Sequence, residues 1–165
     1  MDISKKRILF CDLDGTLIKT ISGKTFAEDV TDFRLRKDVL DKIKSVAAFA
    51  HIAIVTNQGG IPKFVSSRDF EAKLKAVGMF VKLYTGCPVR AAYCDSMDKD
   101  NPSRKPNPGM LESLYNEVYP SYDKSQMLMI GDASGKPGQF SDSDKRCAEN
   151  FGIDYLDVED FVNIV

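Results

Sequence analysis

Arg7-Ile8-Leu9-Phe10-Cys11-Asp12-Leu13-Asp14-Gly15-Thr16 runs from a short apolar strand directly into two carboxylates one residue apart, followed by a glycine that lets the chain turn sharply. Taken singly, Asp-x-Asp-Gly also describes a solvated turn. Acids at i and i+2 on the end of a buried strand, however, repel each other unless a cation or a phosphoryl group uses both. The pattern points to a metal.

Outward from this strand, helical and extended periodicities alternate. Val39, Leu40, Ile43, Val46 and Ala47 have the i, i+3, i+4 spacing of an amphipathic helix over residues 39–49, and a second strand follows at 51–56. Ser67, with Asp69 and Glu71 in the next turn, starts a helix to about residue 84 on which Phe70, Leu74, Val77 and Val81 share a face. Gly86 and Pro88 break it. Strands are expected at 89–94, 126–130 and 154–156, and helices at 108–119 and 143–151, the last stopped by Gly152. Parallel strands need crossover helices, so the expectation is a three-layer, Rossmann-like α/β fold with a parallel central sheet, in one domain over residues 1–165. No repeat, low-complexity tract or dividing linker is visible. Residues 18–31 and 95–107 are irregular, and loops at the carboxyl ends of parallel strands are where such folds keep their sites.

Composition narrows the class. The 165 residues are 43% hydrophobic and 28% charged, with 23 Lys and Arg against 24 Asp and Glu for a formal net charge of −1. A chain of this length buries about 70% of its unfolded surface, which removes disorder and mini-protein scaffolds from consideration. The longest nearly apolar run, residues 46–55, is interrupted by His51 and falls short of the about 20 residues of a membrane span, so no membrane partner is expected. Lys5, Lys6 and Arg7 precede too few apolar residues for a signal peptide, so the expected compartment is the cytoplasm, or the nucleus in a eukaryotic host. Cys11, Cys87, Cys94 and Cys147 form no C-x-x-C pair and are expected as reduced thiols. Near-neutral charge excludes a protein that coats nucleic acid through its whole surface, while a local basic rim is compatible with it.

Three further strand ends or loops carry chemistry. Thr56-Asn57-Gln58-Gly59-Gly60 places a hydroxyl and two amides before a flexible turn, a suitable donor set for phosphoryl oxygens, although a plain turn has the same composition. Arg104-Lys105-Pro106-Asn107-Pro108 sets a cation just before a helix, where surface charge is also common. Ile130-Gly131-Asp132 ends the fourth strand, and twelve residues on, Asp144 opens a helix, where an acid also serves as a simple N-terminal charge.

Together and in this order, these motifs resemble the four motifs of the haloacid dehalogenase (HAD) superfamily of phosphotransferases, over nearly the whole chain. The second acid, Asp14, resembles its phosphatases rather than its dehalogenases. Thr20-Ile21-Ser22-Gly23-Lys24-Thr25-Phe26 with Asp32-Phe33-Arg34, Thr56 to Ile61, Gly131-Asp132-Ala133-Ser134-Gly135-Lys136-Pro137 and Phe140-Ser141-Asp142-Ser143-Asp144 are similar to polynucleotide kinase 3′-phosphatase domains. The Gly-Lys-Pro insertion between Asp132 and Asp144 is the most specific of these. Gly23-Lys24-Thr25 imitates the end of a phosphate-binding loop, but the first glycine that such a loop needs falls at Ile18. The related histidinol-phosphate and heptose-bisphosphate phosphatases carry a Cys and His zinc loop. Here the only histidine is His51, which is read as structural, so neither that loop nor a Ser-His-Asp triad can be built.

The resemblance implies a Mg²⁺-dependent phosphomonoesterase with Asp12 as nucleophile and Asp14 as general acid and base. It implies that Asp12, the Asp14 carbonyl and Asp132 hold the metal, that Thr56 and Lys105 stabilise the phosphoryl group, and that Asp144 orients Lys105 or a metal-bound water. Thr16, Asn57 and Gln58 are candidate substrate contacts, with Lys24, Arg34, Lys63, Arg104 and Lys136 as candidate rim cations. The implied substrate is a nucleic acid 3′-phosphate end in end processing or repair, reached past a minimal cap. The alternatives are a small sugar or nucleotide monophosphate, and a non-catalytic binding role that the full set of acids and cations disfavours.

Overall fold

Strand β1 (Ile8–Cys11) is fully buried and pairs in parallel with a strand on each side. In the computed structural model, which describes residues 1–25 and 27–164, those partners are β4 (His51–Asn57) and β6 (Met127–Gly131). Phe26, part of the segment that carries the family resemblance, and Val165 lie outside the described residues. Outer strands β5 (Val89–Cys94) and β7 (Asp154–Asp157) complete a five-stranded parallel sheet in the order β5-β4-β1-β6-β7. The strand order reverses at β1, so a crevice opens at the carboxyl ends beside it, where open α/β sheets bind ligands.

Side chains alternate across the sheet because successive Cβ atoms point to opposite faces. Leu9, Cys11, Ile52, Ile54, Leu128 and Ile130 join one apolar core with α1 (Lys37–Val46), α2 (Ser67–Thr85) and α5 (Val158–Val162). Ile8, Phe10, Ala53, Val55, Met127 and Met129 join the other, with α3 (Gly109–Val118) and α4 (Ser143–Phe151). The helices start and stop for local reasons. Ser66 caps α2, its Oγ accepting from the Asp69 amide at 3.1 Å, and Gly86 ends it at φ 79°. Helix α1 ends at Val46 rather than at residue 49, because Ala47 turns left-handed at φ 51° and Ala48 gives its carbonyl to Arg7 Nη1 at 2.8 Å.

Several short elements go beyond the sequence expectation. Helix α5 has five residues, capped by Asp157, and residues 18–35 contain a small antiparallel pair, β2 (Ile18–Lys19) with β3 (Arg34–Leu35). The segment between these strands hangs on Asp32. Its carboxylate accepts from the amides of Ile21 and Ser22 at 2.8 Å, from Glu28 at 2.9 Å and from the Ser22 hydroxyl at 2.6 Å. The Ser22 hydroxyl and these amides favour the ionised form and draw the Asp32 pKa down to about 2. A depressed folded pKa contributes stability above the unfolded value and loses it as pH falls through the folded one. The protection factors of the Ile21, Ser22 and Glu28 amides, measured against intrinsic exchange at each pH, should therefore be highest near pH 5 and fall between about pH 4 and 2. Flat protection over that window would contradict the assignment.

Tyr119 is fully buried, packs edge-on against Phe10 with ring centroids 6.2 Å apart, and has a hydroxyl with no hydrogen-bond partner among the described residues. An unpaired buried hydroxyl costs about 1 kcal/mol or more, so Tyr119→Phe should unfold at the same or higher denaturant concentration than the parent. A loss of stability would show that the hydroxyl has a partner. Among the described residues, no helix is long and apolar enough to cross a membrane.

Candidate active site

Asp12 follows the last residue of β1, at the reversal of strand order, and is buried. Lys105, on the loop that enters α3, reaches it from beside β4. Its Nζ donates to Asp12 Oδ1 at 2.6 Å, Asp144 Oδ1 at 2.7 Å and the Val55 carbonyl at 2.9 Å, so all three ammonium hydrogens are engaged. With 4% exposure, Lys105 is a buried cation that its carboxylate neighbours hold well above the ordinary lysine pKa despite the opposing cost of burial. Asp144 comes from the first turn of α4, and its Oδ2 accepts from the Ala133 amide at 3.1 Å. Gly131 has no side chain where a Cβ would overlap the Asp144 carboxylate.

Asp132 follows β6 and faces the turn after Asp12. Gly15 adopts φ 82°, a conformation that favours glycine, and a Cβ there would overlap the Asp132 carboxylate. The buried guanidinium of Arg36 donates to the Gly15 carbonyl at 3.2 Å and to Glu159 at 2.8 Å, bracing this turn against α5. Asp12, Asp132 and Asp144 present carboxylate oxygens within 4.8 Å of one another. Three carboxylates thus face one ammonium. Burial, and then repulsion from Asp144, push the Asp132 pKa up to about 6, and burial lifts Asp12 well above the carboxylate range against the pull of Lys105. Hard oxygen donors with surplus negative charge fit a divalent cation such as Mg²⁺.

The polar side chains after β4 tie the site together. Asn57 donates from Nδ2 to the Lys105 carbonyl at 2.9 Å and accepts the Lys105 amide at 3.0 Å. Gln58 Nε2 donates to Asp14 Oδ2 at 2.7 Å and to Thr56 Oγ1 at 2.9 Å. Thr16 is fully buried, its hydroxyl 3.4 Å from Asp12 Oδ2. Thr16, Asn57 and Gln58, expected as substrate contacts, are each engaged with Asp12, Lys105 or Asp14, as polar groups beside a buried site find partners within the protein. Asp14 itself is exposed at the mouth.

The expected rim cations divide. Lys24 pairs with Glu28, and Lys136 pairs with Asp157 at 3.3 Å and Asp160 at 2.7 Å; both lysines keep exposed side chains. Arg34 is exposed on β3. Arg104 Nη1 donates to the Ser96 carbonyl at 2.7 Å and borders Gly59, and Lys63 is exposed with Nζ 5.0 Å from the Phe64 ring centroid. Arg36 and the Gln58 bridge to Asp14 escape sequence reasoning, because their partners lie 21 and 44 positions away.

Residues 7–162 match the family described as polynucleotide kinase 3 phosphatase. The chain is 38% identical over 161 residues to a bifunctional polynucleotide phosphatase/kinase of Schizosaccharomyces pombe, covering 96% of this chain and 38% of that protein. It is 30% identical over 135 residues to a D-glycero-beta-D-manno-heptose-1,7-bisphosphate 7-phosphatase of Mesorhizobium japonicum, covering 75% of this chain and 59% of that one. A crystal structure of a protein from Mesorhizobium loti, described as a HAD-like phosphatase, superposes with a TM-score of 0.66 at 25% identity, over 90% of this chain and 69% of that one. The chain spans less than two thirds of the length of either of these curated relatives.

Proposed function

The chain belongs to the polynucleotide kinase 3 phosphatase family, and from that premise we propose that it removes the terminal phosphate from 3′-phosphorylated nucleic acid ends, as an end-processing step in repair. The observation that carries the chemistry is the Asp12 carboxylate held by Lys105 at 2.6 Å beside Asp132, at the carboxyl end of the central strand. Asp12 attacks phosphorus, forming a new P–O bond as the bond to the sugar 3′-oxygen breaks. Asp14, held by Gln58, gives its proton to that leaving oxygen. Its carboxylate then takes a proton from the water that attacks the phosphoaspartate, which releases inorganic phosphate and frees Asp12.

Lys105 fixes the orientation of Asp12 and offsets its charge, and Asp144 and the Val55 carbonyl fix Lys105 in turn. Thr56 Oγ1 accepts from Gln58, leaving its own proton for a phosphoryl oxygen. Asp12 and Asp132, with the Asp14 carbonyl, are the residues that would hold Mg²⁺. When bound, the ion offsets the repulsion between the nucleophile and the substrate anion.

The second reading, a heptose-bisphosphate type of phosphatase, has sequence similarity in its favour. Its zinc loop finds no counterpart here. Cys87 stands two residues before β5 and Cys94 is its last residue, about 20 Å away along extended chain, and Cys94 is buried. A panel of 3′- and 5′-phosphorylated oligonucleotides beside heptose bisphosphates and nucleotide 3′-monophosphates, with chelator and with restored Mg²⁺, tests the proposal. We expect Mg²⁺-dependent release from the 3′ ends, exceeding every other substrate in kcat/KM. Preference for a sugar phosphate, or stoichiometric zinc in the purified protein, would transfer the assignment to the second reading.

A further inference from the structure

Among the exposed large apolar side chains, Phe64, Met97 and Phe140 stand on the loops that follow β4, β5 and β6, at the same carboxyl edge of the sheet as Asp12 and Asp132. Two of them are built onto the turn that also carries the site. Gly59 has no side chain where a Cβ would overlap the Met97 thioether, and the Cβ position of its neighbour Gly60 lies 3.5 Å from the Phe64 ring. Phe64 is 79% exposed and Met97 66%, and neither joins the two apolar cores. The turn is fixed: the Gln58 amide donates to the Cys94 carbonyl at 2.7 Å, the Phe64 amide donates to the Gly60 carbonyl at 2.7 Å, and Arg104 anchors the Met97 loop at Ser96 beside Gly59. The preceding residue, Gln58, holds Asp14 at 2.7 Å.

An aromatic face and a polarisable sulfur on adjacent glycines, beside the mouth of a phosphoryl site, suit a flat apolar ligand that is covalently joined to an anion. The cations nearby have the complementary sign: Lys63 Nζ lies 5.0 Å from the Phe64 ring centroid and Arg104 borders Gly59. We propose that Phe64 and Met97 form a stacking step for an unpaired nucleobase of the strand whose terminal phosphate lies over Asp12, with Lys63 and Arg104 facing its backbone. A base within a duplex already stacks on its neighbours and presents no free face, so the step selects single-stranded or frayed 3′ ends. A sugar phosphate offers nothing for it to hold. This inference rests on the nucleic-acid reading of the site and adds the specificity element.

The test compares kcat/KM for a single-stranded 3′-phosphorylated oligonucleotide with that for the same strand carrying abasic residues at its last three positions. It uses the wild type, Phe64→Ala with Met97→Ala, and Phe64→Trp. Both replaced side chains are exposed, and thermal unfolding will verify that the fold is kept. Base stacking on an aromatic side chain implies a loss of about 10- to 100-fold for the double variant on the base-bearing strand, seen mainly in KM, and less than about two-fold on the abasic one. Phe64→Trp, with a larger π-face, should retain the wild-type preference. Equal losses on both strands, or a wild type that does not discriminate between them, would overturn the stacking step and leave the 3′-phosphatase reading intact. A wild type that hydrolyses neither strand while turning over a sugar phosphate would overturn both.

Discussion

Asp12→Asn will release no measurable phosphate from any ester, a loss on the order of 10⁴-fold or more in kcat, the scale seen when a catalytic nucleophile is removed. An amide does not attack phosphorus at a useful rate, and Asn cannot accept from Lys105 as strongly as the carboxylate does at 2.6 Å. Stability should move the other way. Asp12 is one of three carboxylates that repel each other around one ammonium, so its neutralisation should keep or raise the unfolding temperature. The activity assay and the melting curve together separate a lost nucleophile from a broken fold. Asp14→Asn supplies the complementary result: Asp12 can still be phosphorylated slowly, and intact mass should find the phosphorylated protein because no base activates water. Substantial turnover by Asp12→Asn would remove the covalent mechanism.

Lys105→Met has the second-largest expected effect, and it reaches both function and fold. The lysine engages all its hydrogens with Asp12, Asp144 and Val55, so its removal leaves two buried carboxylates without their cation. Breaking a buried ion pair from one side typically costs about 3–5 kcal/mol. Activity should fall by on the order of 10³-fold, through loss of both the orientation of Asp12 and the electrostatic support of the phosphoryl group. The cost has a defined pH sign. Burial already raises the folded pKa of Asp12, and losing Lys105 raises it further, so stability is present at low pH and lost as pH rises through that value. Denaturant unfolding of the variant should therefore fall further below the wild type as pH rises. Adding Asp144→Asn should recover much of the stability and none of the activity. A variant as stable as the wild type at pH 8 would show that the cluster does not depend on this ion pair.

Much of this site is readable along the chain because each acid or cation stands directly after an apolar strand or before a helix with strong periodicity. Asp12, Thr56 and Asp132 end continuous apolar runs, which strands covered on both faces produce, and Asp144 stands in the first turn of a helix closed by Gly152. The two-residue strands β2 and β3 carry no period to read, and the five residues of α5 are too few to show one. The tasks of Asn57 and Arg36 are hidden for a different reason. Their partners, the backbone of Lys105 and the carbonyl of Gly15, are 48 and 21 positions distant, and a polar side chain does not announce which distant main chain it will satisfy. Lys24 is a milder case, since Glu28 four positions on is visible in the sequence as its partner.

The central position of β1 also governs when a growing chain becomes competent. On the ribosome, a nascent chain extended to Gly86 contains β1, α1, β4 and α2, and one edge of β1 can pair with β4 at once. The other edge waits for β6, some forty residues later, and the cation that holds Asp12 arrives on a loop between the two. Asp144, which grips that cation, is translated last of the cluster. Until residue 144 has cleared the exit tunnel, the residues up to Gly86 offer an open strand edge at β1 and an Asp12 without its counter-ion. Synthesis of the second half adds β6 and β7 to the sheet and completes the ion cluster around Asp12, so a chain cut before residue 144 should release no phosphate.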